Sequence, residues 1–186
     1  RVFCSSILQH SQCLHDKKYR GKIMDTKLQE EFNNMVNIEF NSAYLYYAMS
    51  TYFDEIYMSG FSTFMKEVAL EKLSTAQKMY NYLILRDQKL VFEKIEEPDS
   101  DWINISDIFS ISLSHEEFVI EKTKELYRTA KNSEDIGTME FLAKLITKNE
   151  LLLSKLRKII FRIKNSNIIP ASVEFLDREN LSACLN

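Results

Sequence analysis

At 186 residues and a formal net charge of −3, the chain is long enough for one domain with a sizeable core and too weakly charged for a nucleic-acid or anionic-membrane partner. Only three glycines and two prolines punctuate it, which argues against a turn-rich β fold and for long helices. No apolar run approaches the about 18 residues that a membrane span needs.

Residues 1–20 lack sustained periodicity and read as an N-terminal extension that carries Cys4 and Cys13; residues 21–186 read as the folded domain. The start "RVFCSSILQH" is compatible with a mature terminus left after removal of a secretory signal. From 26 to 54 the apolar residues Phe32, Met35, Val36, Ala43, Tyr46, Met49 and Phe53 recur at spacings of three and four, which predicts a first helix. Residues 60–86 repeat the pattern with Phe61, Phe64, Met65, Val68, Met79, Tyr82 and Leu83. The stretch 87–102, "DQKLVFEKIEEPDSDW", has no helical period. A connection of that length needs a topological reason, and a crossover running the length of a bundle supplies one.

A third helix is expected over 105–131, with Ile105, Ile108, Phe109, Ser112, Val119, Leu126 and Ala130 on its inner face. After the turn "KNSEDIG" a fourth is expected over 135–164, with the stripe Met139, Leu142, Ile146, Leu153, Leu156 and Ile160. Pro170 ends it, and residues 171–185 can form a short fifth helix. Cys184 lies in that tail. Three cysteines at the extremities favour disulfides, with the odd one left for an intermolecular partner or as a free thiol; three reduced thiols are the alternative. The sequons at Asn104 and Asn180 are compatible with secretion. The expected fold is an all-α four-helix bundle with one long crossover.

Each predicted helix carries one Glu on its apolar stripe: Glu39, Glu71, Glu116 and Glu150. Burying an unpaired carboxylate costs several kcal/mol, so such groups share a cation or a proton, or reach water. Converging carboxylates are how a bundle holds two metal ions. Against metal stand the scarcity of histidine and the presence of Lys72. His115 sits on a helix flank, and an ammonium beside Glu71 neutralises charge that a divalent ion would otherwise neutralise, the alternative being a surface lysine that snorkels to water.

These residues also carry a family resemblance. The runs "NIEFNSAYLYYAMSTYFD" (37–54), "GFSTFMKEVALEKLSTAQKMYNYLILRDQ" (60–88), "PDSDW" (98–102), "ISLSHEEFV" (111–119), "EFLAKLITKNE" (140–150) and "VEFLDREN" (173–180) resemble, in order, successive segments of ferritins. The resemblance implies a ferritin-like bundle with a short fifth helix, assembled into a shell of 24 subunits that stores iron as a ferric mineral. Heavy-type ferritin subunits oxidise Fe(II) at a two-iron centre inside each bundle. Glu39, Tyr46, Glu71 and Glu116 match that centre, whereas Lys72 replaces its bridging Glu, Thr75 its His and Glu150 its Gln. Light-type subunits look like this, and in them the Lys pairs with the equivalent of Glu116.

The resemblance therefore implies a light-type subunit without ferroxidase activity that co-assembles with a heavy-type partner, iron being its cargo. Glu39, Glu71, Glu116 and Glu150 remain as residual metal-ligand positions. Of the inner-surface positions that nucleate mineral in light-type subunits, Thr63, Lys66, Glu67 and Leu70, only Glu67 keeps a carboxylate. At the three-fold channel Glu140 keeps its acid and Ala143 does not. Cys4, Cys13 and Cys184 resemble the terminal cysteines that link subunit types in secreted invertebrate ferritins, so secretion is expected and a cytoplasmic location is the alternative. Two other readings stand beside this one: a subunit that still binds and oxidises Fe(II) weakly, and a ferritin-like shell protein without iron storage.

Overall fold

The computed structural model describes residues 24–98, 102–166 and 177–178. Four helices, α1 (Thr26–Glu55), α2 (Ser59–Leu85), α3 (Ile105–Asn132) and α4 (Ile136–Ser166), account for most of them. Their bounds fall within two residues of those expected, and no strand occurs among the described residues. Among those residues no helix is long and apolar enough to cross a membrane. The extension, with Cys4 and Cys13, and the tail residue Cys184 lie outside the described residues. Of the fifth helix expected within 171–185, only Asp177 and Arg178 are described, and both are helical.

The helix ends explain the boundaries. Asp25 Oδ1 accepts from Lys27 N (3.0 Å) and Leu28 N (3.3 Å), and Asn104 Oδ1 accepts from Asp107 N at 3.0 Å. Asp135 Oδ1 does the same for Thr138 N at 3.1 Å. No local side chain caps α2, whose Phe61 N instead donates to Asp177 Oδ1 at 2.8 Å. The tail passes so close there that a Cβ at Gly60 would overlap the Asp177 carbonyl, which accounts for a glycine in the first turn of a helix. The first three helices end in left-handed residues, Tyr57 (φ 59°), Asp87 (φ 55°) and Glu134 (φ 55°). In each, the next N–H returns to the carbonyl five residues earlier, at 2.9 Å for Met58, Gln88 and Asp135.

The buried faces follow an alternation of three and four residues. On α1 it runs Leu28, Phe32, Met35, Glu39, Ser42, Tyr46, Met49 and Phe53; on α2, Phe61, Met65, Val68, Lys72, Thr75 and Met79. On α3 it runs Phe109, Ser112, Glu116, Val119, Thr123, Leu126 and Ala130. On α4 it is Leu142, Leu145, Asn149, Leu152, Leu156, Ile159 and Ile163. This differs by one residue from the expected stripe in the middle of α4, where Ile146 is only half-buried and Leu145 is buried. Such a repeat is what helices crossing at shallow angles require. The core forms two apolar clusters, one around Tyr46, Phe53, Phe61, Phe109 and Leu156, the other around Phe32, Val36, Met79, Leu126 and Leu142. The four polar positions Glu39, Lys72, Glu116 and Asn149 fall between the two along their helices.

Short turns make α1 antiparallel to α2 and α3 antiparallel to α4, while the crossover makes α2 and α3 parallel. The crossover has neither helix nor strand over 88–98, and a row of asparagines one turn apart on α1 holds it. Asn33 Nδ2 and Asn37 Nδ2 donate to Val91 O (3.0 and 2.9 Å), and Asn33 Oδ1 accepts from Val91 N at 2.7 Å. Asn37 Oδ1 accepts from Glu93 N (3.1 Å) and Asn41 Oδ1 from Glu96 N (3.2 Å). Backbone groups that would otherwise need a neighbouring strand are satisfied by side-chain amides. Asn37→Ala is expected to lower unfolding free energy by about 1–3 kcal/mol in urea denaturation and to speed amide exchange at Glu93.

Candidate functional site

Between the two apolar clusters the bundle holds a charged layer. Glu39 and Glu116 are fully buried and Lys72 nearly so. Lys72 Nζ donates to Glu116 Oε2 at 2.7 Å, and Tyr46 Oη donates to Glu116 Oε1 at 2.7 Å, so both oxygens of Glu116 are taken. Glu39 Oε2 lies 3.8 Å from Lys72 Nζ, beyond hydrogen-bonding distance, and neither Glu39 oxygen has a partner.

The electrostatics follow from that arrangement. Burial pushes the Glu39 carboxyl up to about 6, with Lys72 opposing and Glu116 adding to the rise. Burial alone would lower Lys72, but Glu39 and Glu116 outweigh it and hold the ammonium charged, above its ordinary value. Burial and then the Glu116 charge raise Tyr46 well above the phenol range, so it remains a neutral donor. Burial likewise lowers His115, whose Nε2 is 2.8 Å from Ser42 Oγ. Ser42 spends its proton on the Ile38 carbonyl (2.7 Å), which makes the imidazole the donor to the serine oxygen.

The other expected interior carboxylates are not in this layer. Glu71 is half-buried, and its Oε1 is 3.0 Å from Lys148 Nζ. Glu150 is exposed and pairs with Lys124 at 3.2 Å. The correction has one cause in both cases: of two adjacent residues, the three-four register buries Lys72 rather than Glu71 and Asn149 rather than Glu150. Adjacent residues differ by about 100° around the helix. Thr75 is buried; its hydroxyl donates to the Glu71 carbonyl (2.9 Å) and accepts from Lys148 Nζ (3.1 Å). Glu67 is half-buried with one unpartnered oxygen, and Glu140 is exposed and accepts from Lys144 at 2.8 Å. Among the described residues no group of three or more His, Cys, Asp or Glu is arranged to hold a metal ion.

Lys148 and Lys124 escaped the sequence reading because neither lies on an apolar stripe. The available signal was charge balance, since carboxylates at the middle of four helices call for cations at the same depth.

Residues 29–166 match the profile of the ferritin-like domain family. The bacterial non-heme ferritin of Staphylococcus aureus is 32% identical over 120 residues, which span 64% of this chain and 72% of that protein. Its counterpart in Staphylococcus epidermidis is 30% identical over the same length. The chain also superposes on the open-pore ferritin of the hyperthermophilic archaeon Archaeoglobus fulgidus with a TM-score of 0.82 and 29% identity, covering 85% of this chain and 96% of that one. A humanized archaeal ferritin gives a TM-score of 0.83.

Two outcomes test the layer. Glu39 binds its proton more tightly when folded, so ionising it costs stability as pH rises from 4.5 through 6, and the cost persists above that window. Glu39→Gln is therefore expected to stabilise the protein by about 2 kcal/mol at pH 7 and to flatten the dependence of stability on pH between those values. Lys72→Met leaves two buried carboxylates without their cation and is expected to destabilise by about 3–5 kcal/mol at pH 7, measured by urea denaturation.

Proposed function

This chain belongs to the ferritin-like domain family, and on that premise we propose that it is a light-type ferritin subunit. In this reading it contributes wall and cavity volume to an iron-storing shell of 24 subunits, and heavy-type subunits in the same shell oxidise Fe(II). The observation that carries the proposal is the Lys72 ammonium, 2.7 Å from Glu116 and 3.8 Å from Glu39. It supplies between those carboxylates the positive charge that a pair of iron ions would otherwise supply. The remaining residues do not fit a two-iron centre: Tyr46 takes the second oxygen of Glu116, Thr75 offers a hydroxyl already used twice, and Glu150 pairs with Lys124 outside the layer.

The acids that would serve mineral formation are sparse as well. Glu67 is the one carboxylate among the four inner-surface positions, and Glu140 is tied to Lys144. A subunit with this endowment depends on its partner for oxidation and nucleation. Cys4, Cys13 and Cys184 would provide covalent links to that partner in a secretory compartment; non-reducing electrophoresis of native material distinguishes linked pairs from free chains.

The direct test is stopped-flow oxidation of Fe(II) by shells made of this chain alone. The expected rate is close to that of Fe(II) in buffer, and shells mixed with a heavy-type ferritin subunit should oxidise in proportion to the heavy-type content. A rapid burst of two Fe(II) oxidised per subunit in the homopolymer would overturn the reading and favour the catalytic alternative. Natively purified shells holding a heavy-type partner but no ferric core would favour the shell protein without iron storage.

A further inference from the structure

The described structure places a second lysine at the rim of the charged layer. Lys148, on α4, sends its Nζ to 3.0 Å from Glu71 Oε1 and 3.1 Å from Thr75 Oγ1, joining two α2 side chains that lie one turn apart. It is half-buried, and its charge reaches Glu39, whose proton affinity it lowers. Lys72 does not touch Glu71 or Thr75 through any hydrogen bond; its contacts are Glu116 and Glu39. The two ammonium groups therefore hold different carboxylates, Lys72 those of α1 and α3, Lys148 that of α2.

We propose that Lys148 excludes divalent metal from the α2–α4 side of the layer independently of Lys72. This rests on the light-type reading above and extends it: the loss of metal binding is built twice. An ammonium bridging the side chains of residues 71 and 75 sits where a metal shared by those two residues would have to sit. Restoring a carboxylate at 72 and an imidazole at 75 leaves that charge in place, because Lys148 reaches in from another helix. The acid on its partner Glu71 stays neutralised, and like charges a few ångströms apart repel strongly in a half-buried site.

The test uses assembled shells of the full chain titrated with Co(II), which is not oxidised under these conditions and reports coordination through its visible absorption. The variants are K72E/T75H, K72E/T75H/K148M and K72E/T75H/K148R, with the unaltered chain as baseline. The neutral K148M form is expected to bind Co(II) at least about tenfold more tightly than the K72E/T75H form, with a more intense visible band, while K148R stays with K72E/T75H. Equal affinity in all three variants, or K148R behaving as K148M, would overturn the role of Lys148. Strong Co(II) binding in the layer of the unaltered chain would instead sink the light-type reading itself. Should K148M fail to assemble, as judged by size-exclusion chromatography, K148Q in the same background supplies the neutral side chain and is judged by the same criteria.

Discussion

The bundle is organised around one buried ion pair, Lys72 with Glu116, set where the apolar core is interrupted. An ion pair of this kind does not have to stabilise a fold relative to an apolar core, because desolvating both charges offsets much of their attraction. Its consequence lies in register. Glu39, Lys72 and Glu116 each occupy a core position midway along a helix, with a small or polar buried neighbour on at least one side: Ser42 and Ala43 after Glu39, Thr75 and Ala76 after Lys72, Ser112 before Glu116. Sliding any one helix by a turn would part these charges from one another and leave them buried without partners. The pair thus fixes the axial positions of α1, α2 and α3 relative to one another, and the two apolar clusters pack on either side of it.

The same logic of supplying polar partners where the fold demands them governs the periphery. A parallel arrangement of α2 and α3 requires a connection that travels the length of the bundle, and such a segment exposes unpaired backbone groups. Asn33, Asn37 and Asn41 meet those groups from a single helix face, one amide per turn. Another polar tie secures the C-terminal end of α2. There Arg86 reaches Asp135 at 2.7 Å and Tyr82 at 2.8 Å, joining the end of α2 to the start of α4. Both ties are local charge or hydrogen-bond matches laid over an apolar frame that sets the overall geometry.

Functionally, the layer is one of compensated charge. Within it Glu116 is satisfied by an ammonium and a phenol; outside it Glu71 pairs with Lys148 and Glu150 with Lys124. Glu39 stays without a hydrogen bond, and its burial, with the Glu116 charge adding to it, raises its proton affinity. In a family whose resemblance to this chain implies converging carboxylates and metal, lysines here come from three different helices to meet carboxylates from all four. The positive charge is covalently part of the protein, and this supports the proposal that it contributes structure to a shell whose chemistry is performed elsewhere.

Much of this was legible without coordinates. Scarce glycine and proline, four segments of three-four periodicity and one long aperiodic stretch determine four helices and a crossover, because helix formation and amphipathic burial are properties of local sequence. Glu39, Tyr46 and Glu116 were also readable, Glu39 and Tyr46 being flanked by apolar residues at the right spacing on both sides and Glu116 lying between Ser112 and Val119 on its stripe. What the sequence left undecided was the choice between adjacent residues. Both Glu71 and Lys72 lie near the stripe of α2, and both Asn149 and Glu150 near that of α4; periodicity locates a face only to within a residue. The phase was decided by tertiary packing, in which four helices crossing at shallow angles share one core repeat. Charge balance called for a cation at the depth of Lys148, but its partners Glu71 and Thr75 belong to another helix, and only the folded arrangement brings that ammonium between them.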